Sequence, residues 1–426
     1  MANYKFALVA PCIRKFVALF VCAAIMHACS EQPNSSSTAI TETTSSDLVY
    51  PRMALDSATS AAVTTLIAQY LTRIDSDFSA VQSELESMQS EIERFLENPN
   101  ATAINAVRAA WLRAHSAYEL TTVHRHFAQT VVNEATRLNL LSLQYQINHW
   151  PILPGYIDYL SSYPESGIVN DMTVPLTADD IRAQHGLFDI NEAAVGFHAL
   201  EFLIWGENRD RLSPRPFSDF QAITVLPADA EARGLALDEL SNNRRRVMLV
   251  LSTEILNQDF ESFMALWAAQ SNDFRVRLEN AASPYLLGDL LTALTSVLIE
   301  DVLARSLYPM LNGDFTDSFP SIFSHSSQNV ASAQLFGLEQ LLLETSTESM
   351  TLDEILSNLS GDYAEYFFQN FDASKECLVL LFSTQDASPI PTSAAEAEFT
   401  VVECINQLTN MIDYVEQVQS RLIGPV

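Results

Sequence analysis

The chain has 426 residues, with 23 Lys and Arg against 53 Asp and Glu and a formal charge of −30 at neutral pH. This acidic balance excludes a nucleic-acid partner, because neutralising phosphates takes clustered Lys and Arg. It is compatible with cation binding or with simple solubility, and the length has room for two domains of ordinary size.

At the N-terminus, basic Lys5, Arg14 and Lys15 precede an apolar run from Phe16 to Ala28, 13 residues long and too short for a membrane-spanning helix. It closes on "IMHAC", which resembles a bacterial lipoprotein signal: residues 1–28 are expected to be removed and Cys29 to carry the lipid that holds the chain on a membrane. A plain secretory signal is the other reading, and both export the chain. Residues 29–48 are mostly Ser and Thr without apolar periodicity and read as a flexible tether.

Apolar residues recur at helical spacing over 61–96 and 104–139, both too long for strands and rich in good helix formers. Residues 145–190 hold seven Pro and Gly and read as an irregular excursion with a short helix near 177–187. A helix is expected over 193–205, then a proline-bearing connection at 211–238. Further helices are expected at 240–270, 284–310, 327–346, 351–370 and 394–422. No run has period two, so the expected fold is all-α, with two helical bundles, 49–210 and 239–426, packed side by side. Cys377 and Cys404 are the only cysteines beyond the signal and Cys29. In an oxidising compartment such a pair invites a disulfide; two buried thiols are the alternative.

The stretch "GFHALEFLIWG", 196–206, carries the chemistry. Between Ala193 and Trp205 only His198 and Glu201 can bear charge, and on a helix positions i and i+3 share a face. A helix apolar nearly all round is buried, and an unpaired buried carboxylate costs several kcal/mol or takes up a proton. The two must therefore be paired, protonated or bound to something.

These residues resemble the imelysin-like proteins, whose hallmark Gly-x-His-x-x-Glu is matched here by Gly196, His198 and Glu201. "AAWLRAHSAYE" (109–119), "INHWPILPGYIDYL" (147–160), "RPFSDF" (215–220), "NNRRRVMLVLSTEILNQDF" (242–260) and "FSHSS" (323–327) extend the resemblance over most of the chain. It implies a two-bundle helical fold, a place in the periplasm or on the outer membrane, an association with iron uptake, and a peptidase label. His115 stands where the resemblance leads one to expect Arg.

A helix-borne His-x-x-Glu can present an imidazole and a carboxylate to one ion, a donor pair suited to iron, zinc or manganese. His115 and Glu119, spaced i,i+4, are the first candidates to complete such a site. The expected function is metal binding linked to iron acquisition, with iron or zinc as cofactor and an iron-uptake or other surface protein as partner. A metallopeptidase using His198 and Glu201 with His325 as third ligand is the alternative, although Ala199 occupies the place of the general base in a His-Glu-x-x-His signature. The third reading is a surface adaptor in which the His–Glu pair only fixes bundle register.

Overall fold

Asp56 starts the first helix by accepting the Thr59 amide at 2.7 Å. That helix, α1 (Ser57–Glu97), then repeats buried apolar residues at alternating spacings of three and four, from Val63, Ile67 and Tyr70 to Ile92 and Phe95. The computed structural model describes residues 54–208, 211–278, 280–313, 319–343, 350–360, 362–387 and 394–423. The signal, Cys29 and the tether lie outside them.

The run expected as one helix over 104–139 is three: α2 (Ala101–Leu120), α3 (Thr122–Thr130) and α4 (Glu134–Asn148). Side chains compete with the backbone at both breaks. Thr121 donates its hydroxyl to the Tyr118 carbonyl at 2.7 Å, and Arg125 reaches the same carbonyl. Asn133 caps α4 by accepting the Thr136 amide at 3.0 Å. The excursion that follows contains α5 (Pro154–Ile157) and α6 (Ala178–Gln184), and α7 (Phe197–Trp205) begins four residues later than expected, after Gly196.

Past the connection, which holds α8 (Ala228–Ala232), come α9 (Ser241–Leu278) and α10 (Ser283–Ser296). The 284–310 run is continuous, but from Val297 to Leu307 it widens into a π-helix before α11 (Tyr308–Leu311). Four more helices follow among the described residues: α12 (Ser327–Leu343), α13 (Leu352–Ser360), α14 (Asp362–Ala387) and α15 (Ala394–Ile423). Among the described residues there is no strand, and Leu160 and Tyr163 form an isolated β-bridge. The fold is all-α.

Helices on the two sides of the connection interleave. α1 packs on α2, α9 and α10, α12 lies on α2 and α14, and the described residues gather as one compact unit. A disulfide joins Cys377 on α14 to Cys404 on α15, with Cα atoms 5.7 Å apart. No described helix is long and apolar enough to cross a membrane.

The α2–α12 contact is close because Gly337 has no side chain: a Cβ there would overlap the Leu120 carbonyl. Gly337→Ala is expected to destabilise the protein by about 1–3 kcal/mol, the typical cost of overpacking. A urea midpoint equal to wild type would show that the two helices are not held at this contact.

Candidate functional site

All nine residues of α7 are buried, including His198 and Glu201, at 1% and 0% exposure. Gly196 makes this placement possible: its φ is +95°, and a Cβ would strike the Gln146 carbonyl and sit 2.7 Å from that of Ile147, at the end of α4. Two neighbours secure the helix ends. Trp111 donates its indole N–H to the Phe197 carbonyl at 3.0 Å, and Arg108 reaches the carbonyls of Ile204 and Arg215 at 3.3 and 2.7 Å.

The two motif side chains bond each other. His198 donates Nδ1–H to Glu201 Oε2 at 2.9 Å, while Glu201 Oε1 accepts the amide and hydroxyl of Ser324, each at 2.7 Å. The carboxylate is thus fully engaged, and the ring is held in one tautomer. Among the described residues, buried His198 Nε2 has no hydrogen-bond partner. Burial lowers the His198 pKa despite the opposing pull of Glu201, so Nε2 carries a lone pair.

The His115 ring stands across that of His198, centroids 5.1 Å apart at 82°, and Trp150 covers His198 at 4.9 Å. His115 belongs to a second network. Its Nε2 donates to Asn148 Oδ1 at 3.1 Å and lies 3.3 Å from Glu119 Oε1, and its Nδ1 faces the Ser321 hydroxyl at 3.4 Å. Asn148 in turn donates to Glu119 Oε1 at 2.5 Å, and Gln334 donates to Oε2 at 2.9 Å. Burial raises the Glu119 pKa, but the His115 bond and the charges of Arg125 and Arg305 outweigh it and bring the value to about 2.

The fold therefore brings His198, Glu201, His115 and Glu119 into one neighbourhood, but as two hydrogen-bonded pairs. Among the described residues, no three His, Cys, Asp or Glu side chains are grouped so as to hold a metal ion. His325, the expected third ligand of a peptidase, adopts a φ of +56° and donates Nε2–H to the Asn208 carbonyl at 2.6 Å. Its neighbour Ser324 is the residue that reaches the motif.

Sequence reasoning missed Asn148, Ser321, Ser324 and Gln334, of which only Asn148 and Ser324 lie in segments that carried the resemblance, "INHWPILPGYIDYL" and "FSHSS". The three arginines opening α9 are structural. Arg244 donates to the carbonyls of Ile168, Val169, Asp171 and Val174, Arg246 to those of Leu96 and Phe220, and Arg245 clamps buried Asp158 at 2.5 and 3.0 Å. Arg215 of "RPF" joins Asp158 at 3.0 Å.

The imelysin family profile, peptidase M75, matches residues 61–414, and the chain belongs to that family. No curated protein matches the sequence. Solved structures that share the fold include the following two. One is described as an iron-regulated protein A precursor from Parabacteroides distasonis ATCC 8503: 11% identity, TM-score 0.59, covering 88% of this chain and 98% of that one. The other is an imelysin-like protein from Psychrobacter arcticum 273-4: 13% identity, TM-score 0.53, with the same coverages.

Gly196→Ala combines backbone strain with a clash and is expected to cost about 2–4 kcal/mol; unchanged urea stability would refute the tight seating of α7 on α4. Half-buried and buried titratable groups also shape the acid response. Burial lowers His149 and His185 to about 4, so the unfolded chain takes up protons on these rings from about 6.5 downward while the folded one does not. Stability therefore falls as pH drops from 6.5 to 4, and Glu119 adds a further loss between 4.5 and 2. Urea midpoints measured across this range should show the upper limb shrink in a His149→Gln/His185→Gln variant; an identical profile would refute the assignment.

Proposed function

We propose that this imelysin-family protein is exported and lipid-anchored at Cys29, and that it binds a metal ion through His198 in the service of iron acquisition. The observation that carries the reading is the orphaned lone pair of His198 Nε2, backed at Nδ1 by a carboxylate. A ligating histidine is characteristically held in this way, its other nitrogen donating to a carboxylate that fixes the tautomer and raises basicity. On this reading Glu201 orients the ring and His198 alone of the motif pair touches the ion. His115 and Glu119 stand beside it, held by Asn148. The ion would supply Lewis acidity. The iron-regulated description of the P. distasonis protein supports iron as the first metal to test.

The peptidase reading has weaker support, since Ala199 offers no general base and His325 Nε2 is bonded to a backbone carbonyl. A structural polar layer is favoured by one specific observation: both carboxylates already have their donors.

Metal content and titration with ferrous, ferric and zinc ions separate these readings. Stoichiometric metal in the wild type is expected to vanish in His198→Ala, and affinity to fall about 10–100-fold in Glu201→Gln. No metal in any of these proteins, with His198→Ala less stable, would replace the metal site by a structural layer.

A further inference from the structure

A polar cavity of about 330 Å³ lies between α2, α3, α4 and the π-helical turn, outside the His198–Glu201 pair. Asn148 forms part of its wall and separates it from Glu119. A volume of this size sits at the lower end of ligand pockets. The π-helix supplies one side, a rare conformation that is concentrated at functional sites, and from it project Glu300, Asp301 and Arg305.

The lining contains polar groups that the described protein does not satisfy. Tyr118 is 1% exposed and lines the cavity, and its hydroxyl makes no hydrogen bond to the described residues. The Arg305 guanidinium has its nearest carboxylate oxygen, Asp301 Oδ1, at 3.7 Å, beyond hydrogen-bond distance. Gln144 accepts from Gln129 through Oε1 at 2.7 Å, which leaves its amide N–H groups unmatched. Three donors thus share the cavity. Against them stand two acids. Asp301 Oδ2 is occupied by Thr122 and His126, at 2.8 and 2.7 Å, while Oδ1 and exposed Glu300 remain. Arg125 is held elsewhere, on the Tyr118 carbonyl, Thr121 and Glu119.

Donors and carboxylate oxygens free of hydrogen bonds, with Arg305 and Asp301 held only in a loose ion pair at 3.7 Å, suit a ligand bearing both signs of charge. We propose that this cavity binds a small zwitterion of the α-amino acid class, its carboxylate on Tyr118, Arg305 and Gln144 and its ammonium on Glu300 and Asp301. Arg305 supplies the planar fork suited to a carboxylate. The site does not depend on any metal at His198.

The test is titration calorimetry of the full chain with chelator present, using glycine, alanine and glutamine as probes and propionate and methylamine as half-ligand controls. At least one amino acid is expected to bind with a dissociation constant below about 1 mM, and each control at least about tenfold more weakly. Tyr118→Phe and Arg305→Gln should each weaken binding about tenfold, Tyr118→Phe without moving the thermal midpoint, because its hydroxyl leaves no bonded partner behind. Glu300→Gln should erode the preference for amino acid over propionate. No binding of any probe at millimolar concentration, equal binding of propionate, or binding indifferent to Tyr118→Phe and Arg305→Gln would each overturn the proposal. Loss of metal binding in His198→Ala would leave it untouched.

Discussion

The burial of the Glu201 carboxylate is the constraint around which the site is arranged. With no exposure to water, both its oxygens need donors that α7 cannot fully supply: one comes from His198 on the same helix, and the other two come from Ser324, more than a hundred residues away. A buried carboxylate stripped of such partners costs several kcal/mol. The segment before α12 is thereby tied to α7, and the imidazole is fixed in orientation at the same time. Gly196 belongs to the same requirement, since α7 reaches its depth only where the chain can pass close to the end of α4.

The same logic recurs at the other buried acids. Glu119 is met by Asn148 and Gln334, Asp158 by Arg245 and Arg215, and Asp301 by Thr122 and His126. Each set of donors comes from helices or loops distant in sequence, so each network acts as a register pin between elements that apolar packing alone would allow to slide. The acids differ in what they leave over. Around Glu119 the donors close on the carboxylate, whereas beside Asp158 two nitrogens of Arg215 are left over, beside Glu201 a nitrogen is left with an unused lone pair, and beside Asp301 a cavity remains.

That 11–13% identity still preserves the fold across 88% of the chain follows from how such helices are specified. A buried stripe needs apolar residues of suitable volume at helical spacing, and many sequences meet that condition.

The helical periodicity of α1, the long α9 and the absence of any period-two run made the all-α class legible in the sequence, because amphipathic spacing is a local property. The His–Glu pair was legible for a similar reason: two ionisable residues in an apolar run must be satisfied wherever the helix lies. The breaks at Thr121 and Val131 were hidden, because whether a threonine hydroxyl or the helix ladder takes a carbonyl depends on what Arg125 packs against. The widening of the helix after Ser296 carried no local signal either. Nor could spacing reveal that Glu201 faces Ser324, that His325 turns to Asn208, or that Asn148 stands between His115 and Glu119. The sequence by itself determined which residues must be buried and which charges would need partners. The tertiary structure alone decided who those partners are, because hydrogen bonds between distant segments are set by the close packing of helices in three dimensions and leave no period along the chain.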